Sequence, residues 1–158
     1  MFSKKRERAI KKYGMKNFSI IKSIEVALLR NCKLPDYKFS TIARENILRP
    51  GYRFINIPGI KKESSSFVET EKESEGGFYF EKSVKLDISK LRPEVSSLLD
   101  QVSNNKLVAV ITDGNNISHL VFPVKRIIKR TIPGTVKKAN VTSIEFSGKS
   151  MYESPFVI

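Results

Sequence analysis

The chain has 158 residues, of which 40% are hydrophobic, enough for one domain with a real core. No apolar run approaches the roughly 20 residues that a bilayer-spanning helix needs, and the opening Met1-Phe2-Ser3-Lys4-Lys5-Arg6 lacks the apolar stretch of a secretory signal. A lone Cys32 excludes a disulfide within the chain, and a lone histidine, His119, argues against a zinc site.

The net charge of +13 is the abnormal bulk property, and it is segregated. Residues 1–62 hold sixteen Lys/Arg against four Asp/Glu, residues 63–105 hold five against nine, and residues 106–158 hold eight against three. A basic front, an acidic middle and a basic end call for a polyanionic neighbour, or for copies that dock through opposite patches.

In chain order, the first feature is a basic arm. Lys4, Lys5, Arg6, Arg8, Lys11 and Lys12 are opposed only by Glu7. Such a segment cannot build a core, so it is expected to dock on adjacent subunits, on DNA or on an acidic protein surface. In Phe18–Leu29, Ile20, Ile21, Ile24, Ala27 and Leu28 fall at helical spacing, while the β-branched content also permits a strand. The run reads as a docking segment, which divides the chain into an arm and docking segment, residues 1–48, and a β domain, residues 49–158.

Three X-Pro-Gly turns punctuate the β domain: Arg49-Pro50-Gly51, Ile57-Pro58-Gly59 and Ile132-Pro133-Gly134. Proline presets φ at the first corner and glycine supplies positive φ at the second. The first two bracket an alternating strand, Tyr52–Ile57. Residues 61–76 are Ser/Glu-rich with Phe67-Val68 in their middle, and Phe78-Tyr79-Phe80 resumes a strand directly afterwards. The pattern predicts a long two-stranded excursion that projects from the body and uses Phe67-Val68 as an apolar contact with another subunit.

Phe78–Ile88 reads as a strand. A helix over 93–103 comes next, with Pro93 and Glu94 in its first turn and a stripe of Val95, Leu98, Leu99 and Val102. The strongest local signal is Leu107–Thr112 and Ile117–Phe122 around Asp113-Gly114-Asn115-Asn116. It predicts a tight hairpin whose turn needs positive φ, with a first strand buried on both faces. Lys125, Arg126, Lys129 and Arg130 form a further basic cluster, a second candidate for nucleic-acid or subunit docking. Val141–Phe146 closes the set, and Phe156, Val157 and Ile158 read as a final strand or as a peg for a neighbouring subunit.

Catalytic signals are missing. Gly148-Lys149-Ser150 matches the end of a phosphate-binding loop, but the opening glycine of that motif is absent and no helix follows. There is no Ser-His-Asp order, no zinc pattern and no Cys-His-Asn grouping for Cys32. The expectation is a non-enzyme with no catalytic residue, no cofactor and no metal.

The order from Phe78 onward is a strand, a helix opening with Arg92-Pro93-Glu94-Val95, a buried strand Leu107–Thr112, an Asp-Gly-Asn turn, a return strand and a closing strand Val141–Phe146. This resembles the small β-sandwich structural proteins of tailed bacteriophages: tail-tube, tail-completion and head–tail connector ring subunits. The resemblance covers roughly residues 50–150. It implies a mainly β fold, a single sandwich or barrel-like domain with one flanking α-helix and a long projecting hairpin loop; the extended basic N-terminal arm goes beyond that pattern and tells against a plain tube-forming role. It also implies a virion protein, assembled in the bacterial host cytoplasm as a homo-oligomeric ring around the DNA channel. Its partners would be copies of itself, neighbouring connector or tail proteins and, non-specifically, DNA, with no membrane. The basic arm suits a connector position near packaged DNA. The alternative is a basic RNA-binding protein of a ribosome-like particle, which lacks support from aromatic pairs on the basic segments.

Overall fold

The computed structural model describes residues 20–89, 92–132, 134 and 141–158. The basic arm, Pro133 of the third Pro-Gly turn and Lys137-Lys138 lie outside the described residues. Nine strands form one sheet: β1 (Ile21–Leu28), β2 (Thr41–Ile42), β3 (Ile55–Asn56), β4 (Ser66–Ser74), β5 (Gly77–Ser89), β6 (Leu107–Asp113), β7 (Ser118–Thr131), β8 (Val141–Ser150) and β9 (Phe156–Val157). The main order is β3-β1-β6-β7-β8-β5-β4, with β9 pairing β7 on one side and β2 on the other. All pairings are antiparallel except the short β2–β9 contact. The sheet does not close. It is therefore sandwich-like and mainly β, with one flanking helix among the described residues, and it is not a barrel.

β7 is the strand that folds the sheet on itself. Its first part, through Val124, pairs with β6, and its second part, Lys125–Thr131, pairs with β8. The main core lies between the two halves. Ile21, Ile24 and Val26 of β1, Ala109 and Ile111 of β6, and Val121 of β7 meet Val84, Leu86 and Ile88 of β5 and Ile144 and Phe146 of β8. A second core covers the opposite face of the first half, where Ala27, Val108, Val110 and Leu120 pack under Cys32, Ile42 and Ile47 of the long connection after β1. β6 is thus buried on both faces, as its unbroken apolar sequence requires.

Helix α1 (Pro93–Asp100) has proline in its first turn and Glu94 near its N-terminus. It ends three residues before the expected 103, but the turns that continue it carry Val102 into the main core beside Leu99. The β6–β7 turn is the tight hairpin the sequence suggested, closed by Asn116 N–H to the Asp113 carbonyl at 3.0 Å and Asp113 N–H to the Ile117 carbonyl at 3.0 Å, but its positive φ is not on the glycine. The Asp113 carboxylate accepts from the backbone N–H of Asn115 (2.8 Å) and Ile117 (3.1 Å), and positive φ falls on Asn116, at 60°. Asparagine tolerates that conformation, so glycine is not needed there. The first two Pro-Gly turns are as expected, with φ of 87° at Gly51 and 76° at Gly59. Between them the strand shrinks to Ile55–Asn56.

The division at residue 48 is corrected by β1. Residues 21–28 are no docking segment: they form a strand between β3 and β6, contributing to both cores. β-branched Ile21, Ile24 and Val26 fit a pleated, two-sided environment better than a helix. Cys32 lies in the second core, 6% exposed, and its thiol donates to the Leu28 carbonyl at 3.5 Å. Burial pushes that thiol up from 9.0 to about 11, partly opposed by Arg49. The unfolded chain ionises first as pH rises, so Cys32 contributes stability below pH 9.0 that is lost progressively towards pH 11. At pH 8, Ellman's reagent is expected to label Cys32 only as fast as the protein unfolds. Rapid labelling of the folded protein would contradict this placement.

Candidate functional site

The β4–β5 hairpin has two parts. Its base belongs to the body, where Phe67 packs against the main core with its ring 6.1 Å from that of His119. Val68 points the opposite way and is exposed. Side chains alternate across a strand, so Phe67-Val68 could not act as one apolar contact. Beyond Phe80↔Ser150, the last register position shared with β8, the hairpin continues alone to the turn at Glu75-Gly76. This tip projects, as the sequence suggested.

The two faces of the hairpin treat charge differently. On the outer face Lys72 pairs with Glu81 at 2.8 Å, Lys149 lies 3.8 Å from Glu81, and the Lys149 ammonium sits 5.5 Å from the centre of the Tyr79 ring. On the inner face Glu69 and Lys82 form an ion pair at 3.6 Å, with the Lys82 side chain 1% exposed. Burial lowers the Lys82 ammonium from its ordinary value, and Glu69 opposes that shift. The same Glu69 carboxylate accepts from the Ser154 backbone N–H (2.8 Å) and hydroxyl (2.9 Å). One carboxylate therefore ties the hairpin to the segment leading into β9. Farther out on that face, Glu71 and Glu73 are exposed and form no ion pair with any described residue.

Beside the hairpin base lies a cleft of about 230 Å³. Tyr37, Tyr152, Phe39 and Phe122 line it together with the carboxylates Asp36 and Glu153. Phe39 and Phe122 stack at 6.1 Å, and buried Lys82 lies over the Phe122 ring at 5.7 Å. Sequence reasoning missed this cleft because its walls come from residues 35–39, 82, 122 and 150–155, which no local pattern connects.

The basic cluster on β7 divides by side. Lys125 and Lys129 are exposed with Ile127 on the outer face of the sheet, while Arg130 is exposed on the side of the core. Arg126 is not available for docking. Its guanidinium donates to the Leu99 carbonyl at 2.7 Å, at the end of α1, and lies 3.7 Å from Asp100. A cation at a helix C-terminus is favoured by the exposed carbonyls. Arg126→Ala is expected to lower stability by about 1 kcal/mol, measured by urea unfolding.

At the chain's other end, β9 is the final strand rather than a free peg. Val157 packs in the second core, and the Ile158 N–H donates to the Ile42 carbonyl at 2.9 Å. Phe156 lies 5.3 Å from His119 yet stays half exposed, and Ile158 is exposed. His119 in turn lies 3.4 Å from Asp113. Ser118, its neighbour in the strand, pairs with Thr112 on the opposite face, so hydroxyl, imidazole and carboxylate do not line up. Among the described residues no group of three His, Cys, Asp or Glu side chains could hold a metal ion, and no helix is long and apolar enough to cross a membrane.

A different basic patch emerges at residues 44–54. Arg44, Arg49 and Arg53 surround a cleft with Tyr52, Phe54, Glu25 and Glu45. Arg44 is paired with Glu25 and stacks 5.2 Å from the centre of the Phe54 ring, whereas Tyr52 is 51% exposed. In comparisons with known proteins, no family model, no curated protein and no solved structure matches this chain.

Proposed function

We propose that the protein is a structural subunit of a phage virion. In this reading, copies assemble head-to-tail into a ring in the head–tail connector or tail, around the DNA channel. The observation that carries the reading is a sandwich-like body with a projecting, glutamate-rich hairpin tip, in a chain whose charge is segregated into a basic front, an acidic middle and a basic end. A heterologous contact joins two different surfaces of one chain, and opposite charge selects that pairing over like-to-like dimers. The sheet edge along β4, which pairs only β5 among the described residues, gives a second place for a neighbour to add.

A second reading has one observation in its favour. Exposed Tyr52 lies between Arg49 and Arg53, and an aromatic face beside cations is what an RNA-binding protein of a ribonucleoprotein particle offers a base to stack on. Sedimentation after nuclease treatment in high salt, followed by return to low salt, separates the two. A ring subunit forms a defined homo-oligomer without nucleic acid. An RNA binder stays monomeric at 18.0 kDa until RNA is added.

A further inference from the structure

The hairpin tip and the aromatic cleft form one continuous surface. Glu71 pairs across the hairpin with Phe80, and Phe80 pairs with Ser150, which lines the cleft. Glu71 therefore lies two strand spacings, about 10 Å, from the cleft wall. Glu73 and exposed Phe78 extend the same face one register step outward. Asp36 and Glu153 bring to four the carboxylates on this surface that form no ion pair with any described residue. The cation that lines the cleft, Lys82, is buried and already committed to Glu69. Aromatic faces beside carboxylates favour a desolvated ammonium or guanidinium over a neutral group.

The same chain carries a segment with the complementary chemistry. Residues 4–12 contain six Lys/Arg and one Glu, and nine extended residues reach about 30 Å, enough to cover both cleft and tip. We infer that this basic arm of one copy docks on the Glu71–Glu73 face and the Asp36–Glu153 cleft of a second copy, with one cationic side chain seated among Tyr37 and Tyr152. The inference rests on the ring reading above and names the two surfaces that form its interface. Docking on the next copy rather than reciprocally leaves each copy with one arm given and one surface filled, a heterologous contact that makes a ring when its rotation closes.

The test uses two full-length variants. In the arm variant Lys4, Lys5, Arg6, Arg8, Lys11 and Lys12 are all replaced by Gln. In the surface variant Glu71→Lys, Glu73→Lys and Glu153→Lys are combined, all three being exposed positions outside both cores. Native mass spectrometry at low salt, with thermal melts as a folding check, reads the outcome. The expected result is an oligomeric wild type, two variants that are each monomeric, and a heterodimer with no larger species when they are mixed. The mixture restores one interface because the surface variant donates its arm to the arm variant's intact surface. A surface variant that assembles like the wild type, or a mixture that stays monomeric, overturns the docking inference while leaving the ring reading in place. A wild type that is monomeric at every concentration overturns the ring reading and the inference with it.

Discussion

Gly148→Ala is expected to cost about 3 kcal/mol, towards the upper limit for one added methyl group. A Cβ at Gly148 would overlap the Pro123 carbonyl oxygen and sit 3.3 Å from the Val124 Cα. Both are backbone atoms, in the stretch where β7 passes from pairing with β6 to pairing with β8. No rotamer change relieves such a clash, so β7 and β8 must separate and the fold in the sheet must open. Position 148 faces inward, opposite Lys82 in the β5–β8 register. The close approach explains the glycine of the Gly148-Lys149-Ser150 run better than any phosphate does. Urea unfolding of the alanine variant checks this; a midpoint within error of the wild type would contradict the packing at the fold of the sheet.

Glu69→Ala is the second large effect. It leaves the Lys82 ammonium buried with no carboxylate and removes both contacts to Ser154. Removing one partner of a buried pair costs about 3 kcal/mol or more, because the remaining charge stays desolvated. The pH dependence gives the sign. The folded Lys82 is already lowered from 10.5 by burial, and losing Glu69 lowers it further. Between the folded value and 10.5 the unfolded chain binds the extra proton, so the variant regains stability as pH rises through that window. Chemical denaturation of both proteins from pH 7 to 10 should show the deficit shrinking with pH; the Cys32 contribution cancels in the difference. A constant deficit would assign the loss to the Ser154 contacts alone.

The elements that the sequence made legible are those whose signal is local. Leu107–Thr112 is apolar at nearly every position because β6 has a core on each face. The α1 stripe and the Pro-Gly turns are likewise set by residues three or four apart. The apolar positions of residues 21–28 fit two periods, and only pairing with Leu107–Asp113, 79 to 92 positions away, decides between them. The functional surfaces depend still more on the fold. Arg126 sits in a basic run yet is consumed by α1, and Phe67 sits in a polar loop yet completes the core. The acidic character of residues 63–75 did point to the correct hairpin. Strand parity turns Glu69, Glu71 and Glu73, at every second position, to the same face, and register then decides which of them meets Lys82.

The central claim is that copies of this chain assemble by themselves into a closed ring. Electron microscopy of the nuclease-treated protein at low salt tests it most directly. End-on views should show rings of uniform diameter with a central channel wide enough for duplex DNA, about 20 Å across, disappearing as salt screens the opposite charges. Isolated particles of monomer size at all salt and protein concentrations would contradict it.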